Sequence, residues 1–405
     1  MRETTAGLRL ARVLVVCASI LAGCGPGADP VDPPAAPPGA VSGLSEPQEK
    51  RRPRPAPSPV EPVPTPVPVE APTVERLLEA GSPWTTPVVP PADGTAPALG
   101  LVAAGFDSWV RSDGWSVPFH LATAADPLQT LLYNPDAWSR VASGEWRRSG
   151  NGAAVEAAIR ATSRSVFPYR GNVYSSTSTT SWQLPADFNG LHGIPPATLR
   201  FHLGAAMVPA PGWDGHLAVM QPDGRVLETY AAIRLSDGTL VALSYSVTHP
   251  RHKGDGWENG QTASMLPVYL GLLDAASLEA GRIGHALAVT VPARLLAPTA
   301  AYPAFAFDRS ALTEHPPYAG TLPMGARLVL PVDADPPSLG LATPEGLVIA
   351  DAARRHGFIV VDRGGEGLSV RVRRNPARPN PRLTEWDPLL QDDLNRIVGR
   401  LVVLR

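Results

Sequence analysis

Apolar and polar positions change over on a short wavelength through most of this chain, and that wavelength is the one strands produce. Residues 197–208, 215–220, 225–233, 240–246, 285–291, 326–332, 357–361 and 369–373 form short apolar or alternating runs. Such runs predict strands, because successive side chains point to opposite faces of a sheet. Turn signals separate them. Pro222-Asp223-Gly224 and Ser236-Asp237-Gly238 predict hairpin turns, and residues 215–230 predict the clearest hairpin. Helical periodicity marks two turns at 73–80 and, beyond residue 98, three stretches. Residues 152–163 carry apolar positions at helical spacing. Residues 343–357 add Thr343 as an N-cap, Pro344 at the first position, Glu345 in the first turn and Gly357 as a stop. Residues 387–400 predict a third helix. Many strands with few short helices predict a mainly β fold, an antiparallel β-sandwich of the jelly-roll kind. No internal repeat is present.

The pattern disappears before residue 98. Residues 25–97 hold 21 of the 47 prolines, and the run at 60–70 alternates Pro with small or β-branched residues. That composition favours polyproline II and builds no core. Fifty or so such residues, at about 3.1 Å each, reach on the order of 150 Å. The expected organisation is a leader at 1–23, a disordered proline-rich stalk at 24–97 and a globular β domain at 98–405. Lys50, Arg51, Arg52 and Arg54 form a small basic cluster in the stalk, read as solvated charge.

The leader explains the stalk. Arg2, Arg9 and Arg12 precede an apolar stretch at 13–21, which ends in Leu21-Ala22-Gly23-Cys24. This is the order of a secretory signal, and the stretch is too short to span a bilayer. The terminal four residues resemble the bacterial lipobox. The resemblance implies a lipid on Cys24, cleavage before it, and anchorage in the cell envelope. With a Gram-negative host, Gly25 directs the expectation to the outer membrane. Cys17 leaves with the signal, so the mature chain has neither a disulfide nor a cysteine nucleophile. A net charge of −2 gives no electrostatic case for nucleic acid. The expected partners are therefore a membrane, through the lipid, and a polysaccharide, with the protein a monomer. No metal or cofactor is expected.

Candidate chemistry concentrates on the first hairpin. Asp214 and His216 are two apart, so on a strand they share a face. A carboxylate beside an imidazole serves proton transfer or, as the alternative use, metal ligation; a surface polar pair is the competing reading. Glu228, on the return arm, is within reach across the ladder, and two carboxylates on one face are what glycoside hydrolysis needs. Its competing reading is an edge charge that limits strand aggregation. His285 opens an apolar strand, with Glu279 just before it. Asp362 ends a strand before a Gly-rich turn. Arg327 reads as a structural ion-pair partner in a strand. His249, His252, Asp255 and Glu258 share a Gly-rich loop without a strong metal spacing. Trp213, Tyr230 and Trp257 are candidates to stack on sugar faces or to fill the core. No nucleophile elbow, P-loop or dinucleotide fingerprint occurs.

An ordered set of short motifs runs through residues 197–404. Asp214-x-His216, Leu227-Glu228, Gly281-x-Ile283-x-His285-Ala286-Leu287, Tyr302-Pro303-Ala304, Pro323-Met324-Gly325-x-Arg327-Leu328 and Gly357-x-x-x-x-Asp362 follow one another. The set resembles an uncharacterised group of secreted bacterial β-rich proteins. His356 stands where that group usually has Tyr, and Met265 where it usually has Gly. The expectation is an enzyme acting on polysaccharide, a hydrolase or lyase, with Asp214, His216, Glu228 and His285 transferring protons. Trp213, Tyr230, Trp257 and Asp362 would hold substrate. The alternative is a non-catalytic carbohydrate-binding or structural module on a stalk.

Overall fold

The structure, a computed structural model, describes residues 77–92, 99–100, 107–111, 116–142, 152–167, 198–212, 214–248, 253–256, 260–307, 318–374, 383 and 387–404. The expectations for Cys24, the leader and the stalk to residue 76 lie outside the described residues, as do those for Trp213, Trp257, His249, His252 and Glu258.

Three strands open the fold: β1 (Trp109–Arg111), β2 (Val117–Leu121) and β3 (Leu128–Tyr133). Helices α1 (Ala137–Ala142) and α2 (Ala153–Thr162) follow, then β4 (Leu199–His202). The predicted hairpin is β5 (Leu217–Met220) and β6 (Val226–Tyr230), and the second turn lies between β7 (Ile233–Arg234) and β8 (Leu240–Ala242). Gly224 N donates to Gln221 O at 2.8 Å and Gly238 N to Leu235 O at 2.9 Å, so both Asp-Gly signals close the turns they predict. Next come β9 (Ser244–Thr248), α3 (Ala275–Glu279), β10 (Leu287–Pro292), β11 (Leu296–Ala300), β12 (Leu322–Met324) and β13 (Arg327–Val329). The chain ends with α4 (Pro344–Arg355), β14 (Phe358–Gly364), β15 (Ser369–Arg371), β16 (Arg373–Arg374), α5 (Pro388–Val398) and β17 (Val402–Leu404). Thr343 caps α4 as its sequence predicts, accepting from Gly346 N at 2.9 Å. The buried Asp393 of α5 then accepts from Thr343 N at 2.8 Å and Ala342 N at 2.7 Å, which ties the two helices together.

The fold is mainly β with few helices, as the alternation predicts. Three sheets carry it, ordered β1-β15-β10-β14-β13-β17, β16-β2-β5-β6-β9 and β4-β3-β8-β7, beside a β11-β12 ladder. The ladders are mixed. Hairpins supply antiparallel pairs such as β5–β6, whereas β10–β14, β2–β5 and β3–β8 are parallel. Local turn signals report only hairpins. Parallel partners need long crossovers, which leave no short-range trace.

Alternation along the hairpin shows how the sheets stack. Leu217, Val219 and Leu227 join a core with Leu131, Phe201 and Leu240 of the four-stranded sheet. Ala218 and Val226 join the larger core with Val289, Val360 and Val370 of the six-stranded sheet. The five-stranded sheet therefore has both faces covered. Helices α4 and α5 contribute Ile349, Leu390 and Leu394 to the large core, and α2 covers the small sheet through Ile159.

Residues 77–92, expected in the stalk, are part of this packed body. Trp84 is fully buried (0 % exposed). Its indole N–H donates to Gly254 O, and its carbonyl accepts from Ala286 N at 2.7 Å. Val88 N donates to Arg355 O at 2.7 Å. The Arg327 guanidinium donates to the carbonyls of Pro83 and Thr86, a structural role filled by backbone oxygens where an ion pair was expected. Gly271 (φ +67°) lies under the indole, where a Cβ would collide with the ring. Proline bars a segment from helix and sheet interiors, but it does not bar an extended strap from packing around one large anchor.

Candidate functional site

The Asp214-Gly215-His216 turn delivers its two side chains in a different way from strand alternation. β5 starts only at Leu217, and Gly215 has φ +52°. A side chain at Gly215 would press on the Ala232 backbone, 3.0 Å from its Cβ. The turn is held by Ala231 N donating to Asp214 O at 2.7 Å and Ala232 N to Gly215 O at 3.0 Å. The outcome is an Asp214 Oδ2 to His216 Nε2 separation of 3.9 Å, close for charge and too long for a hydrogen bond. His216 Nδ1 lies 3.3 Å from Thr229 O. A carbonyl only accepts, so Nδ1 carries the proton and the Nε2 lone pair faces Asp214. Tyr230 packs on the imidazole, ring centroids 5.6 Å apart.

Burial sets the charge states. His216 is 4 % exposed, and burial, then the positive charge of Arg371, push its imidazole down to about 3. Asp214 is half-buried, and desolvation pushes its carboxyl above the usual range against the pull of Arg371 and Arg363. Burial thus works against the charged form of both partners.

Glu228 faces the same way, one step further into the sheet, opposite Ala218. It is 0 % exposed, and Oε2 accepts from Val268 N at 2.7 Å and Gln261 N at 3.2 Å. Asp362 grips the same loop from the other sheet, accepting from Ala263 N at 3.3 Å and Arg363 N at 2.9 Å. Between the two sheets lies Arg371, 6 % exposed. Burial lowers its guanidinium from the ordinary value, and the charges of Asp362, Asp214 and Glu228 raise it again. Register explains the meeting. Thr290 pairs with both Asp362 and Ser369, so Asp362, Ser369 and Arg371 share one face of the six-stranded sheet. Sequence reasoning missed Arg371. Its signal is a polar residue at every second position of 369–373, two of them arginine, against Val370 and Val372 on the other face.

The structure thus brings together Asp214, His216, Glu228, Tyr230 and Asp362, and it leaves His285 apart. His285 lies five positions before Thr290, the partner of Asp362, which is roughly 15 Å along a strand. Its Nδ1 lies 2.9 Å from Ala286 O, and the next residue bonds to Trp84. Glu279 is exposed at the end of α3. Among the described residues no group of three or more His, Cys, Asp or Glu side chains is placed to hold a metal, and no helix is long and apolar enough to cross a membrane.

An open groove of about 1020 Å³ lies at the His285 end. Pro87, Val88, Arg282, Gly284, Arg355 and His356 are among its walls, so the strap forms one side of it. Arg354 pairs with Asp335 at 3.0 Å and Arg355 with Asp351 at 2.8 Å. Arg282 is exposed and its guanidinium has no bonding partner among the described residues. No protein-family model matches this sequence, no curated protein does, and no solved structure does.

Proposed function

We propose that the chain is an envelope-anchored lipoprotein whose β domain binds polysaccharide on a stalk. The lipobox-like run ending at Cys24 supports the anchor, and the prolines that follow support the stalk. The ordered motifs support kinship with the secreted β-rich group. One observation carries binding over cleavage. Of the four residues expected to transfer protons, Glu228 is sealed and bonded to two amides, and His285 stands at the other end of its strand. Among the described residues, neither Glu228 nor Asp362 is left free of backbone amides to work against Asp214, as hydrolysis requires. The open groove offers proline faces, arginine donors and aspartate acceptors to a sugar chain.

Cleavage at Asp214 and His216 is the second reading, favoured by a half-buried carboxyl whose proton affinity burial raises, beside a neutral imidazole. One screen separates the two. The full-length chain is incubated with a panel of envelope and matrix polysaccharides, and both retention and product are measured. Retention without product, weakened about tenfold by Arg282→Glu and untouched by His216→Gln, supports binding in the groove. New reducing ends or unsaturated-uronate absorbance, lost in His216→Gln, would replace it with the enzyme reading.

A further inference from the structure

Cations gather at the seam between the five-stranded and four-stranded sheets. His120 is on β2, Arg373 and Arg374 form β16, and Arg234 ends β7. In the parallel β16–β2 ladder Arg374 pairs with Pro118, so Arg374 and His120 lie on one face. Arg373 stacks over the Phe119 ring at 4.9 Å and donates to Phe119 O at 3.4 Å. Arg234 is 8 % exposed, and its Nη2 donates to Gly204 O at 2.7 Å and Leu203 O at 3.3 Å.

Other donors at the seam are unmatched. Arg234 Nε and Nη1 and His120 Nε2 are sealed from solvent without a hydrogen-bond partner among the described residues. Arg374 makes no side-chain bond among them either. A buried donor left unbonded loses its hydration with nothing in return, and guanidiniums crowded round an imidazole add repulsion. Burial and these three arginines push the His120 imidazole down to about 4. The nearby acids are committed elsewhere. Asp237, which does attract Arg234, is bonded to Arg160 at 2.7 Å and to Thr239 N at 3.0 Å. Asp126 accepts from Thr123 N at 2.7 Å.

We propose that His120, Arg234 and Arg374 form a binding site for a tetrahedral oxyanion, a phosphate or sulfate group. Such a group supplies several acceptor oxygens at once and neutralises the crowded charges, and its bonds to guanidinium are charge-assisted. The inference does not rest on the glycan reading, since the seam and the groove share no residue.

The test titrates inorganic phosphate, sulfate and methyl phosphate into the full-length chain, reading heat and the His120 ring resonances. Saturable binding is expected, with His120 moved to a higher pKa by the bound anion. Arg374→Ala and His120→Gln should each weaken phosphate about tenfold while keeping native circular dichroism. Arg234→Gln should do the same if it folds, and the other two variants decide if it does not. Methyl phosphate binding alongside phosphate marks the group as one carried on a larger molecule; phosphate or sulfate alone marks the free ion. No saturation through the millimolar range, an equal response to chloride, or affinity unchanged in both variants would overturn the site.

Discussion

At the scale of single residues, the protein holds ionisable side chains where solvent does not reach, and this makes its stability depend on acid. His216 has an ordinary value of 6.5 and about 3 in the fold; His120 goes from 6.5 to about 4. Both shifts have one sign. Below the ordinary value the unfolded chain takes up a proton that the folded chain refuses, so stability falls as pH drops from 6.5 towards each folded value. Asp214 runs the other way. Its carboxyl is raised, so its burial costs stability at neutral pH, and that cost lifts as pH falls through the folded value towards the ordinary one. At about pH 5, where most carboxylates stay ionised, each histidine should have removed roughly 1–2 kcal/mol. Urea denaturation at neutral pH and at about pH 5 measures this, and His216→Gln should remove its share of the difference. An unchanged slope in that variant would mean the imidazole is not held neutral. The sequence made the Asp214–His216 pair legible, because two residues in one turn cannot be far apart. Arg371 was not legible, since its carboxylate partners come from β6, β14 and the turn before β5 and meet it only through sheet stacking.

At the scale of elements, local signals were read well wherever they were sufficient. The Thr343 cap, the helix α5 within 387–400 and both Asp-Gly turns fall where the sequence puts them. The segment from Gly260 to Val268 carries no such signal, yet it is the element both candidate carboxylates hold. It is a tight loop, with Gly260 N donating to Met265 O at 2.6 Å and Met265 N to Thr262 O at 2.9 Å. Met265 sits at φ +65°, the left-handed region that favours glycine, with its side chain buried. The departure from Gly noted in the sequence therefore has a physical meaning. Met adds buried apolar surface at a position where any Cβ costs about 1–2 kcal/mol. This inverts the usual order of substitutions. Met265→Ala loses the burial and keeps the strain, whereas Met265→Gly loses the burial and relieves the strain. The alanine variant should be the less stable of the two by about 1 kcal/mol in chemical denaturation. The ordinary order, glycine worse than alanine, would show that the loop relaxes out of this conformation when the side chain goes.

At the scale of the whole molecule, composition proved a poor guide to where packing starts. Twenty-one prolines made residues 25–97 read as one stalk, yet Trp84 is as deeply buried as any strand residue. Composition averages over a window, and a single anchor in a proline-rich window is averaged away. The indole fills a place that Gly271 leaves open, bonds to Gly254, and lies on the backbone that leads into β10. The strap also forms a wall of the groove. Its removal should therefore damage stability and any groove function together. Trp84→Ala in the full-length chain should cost about 3–5 kcal/mol, the range for emptying a large aromatic site in a core. A chain beginning at residue 98 should fare worse, because it also loses the bonds from Arg327, Arg355 and Ala286 to the strap. A chain beginning at residue 77 should keep the stability of the full-length protein. Denaturation midpoints of the three constitute the test. Equal stability for the chain starting at 98 would mean that the body closes over the place of Trp84 and that the strap only rests on it.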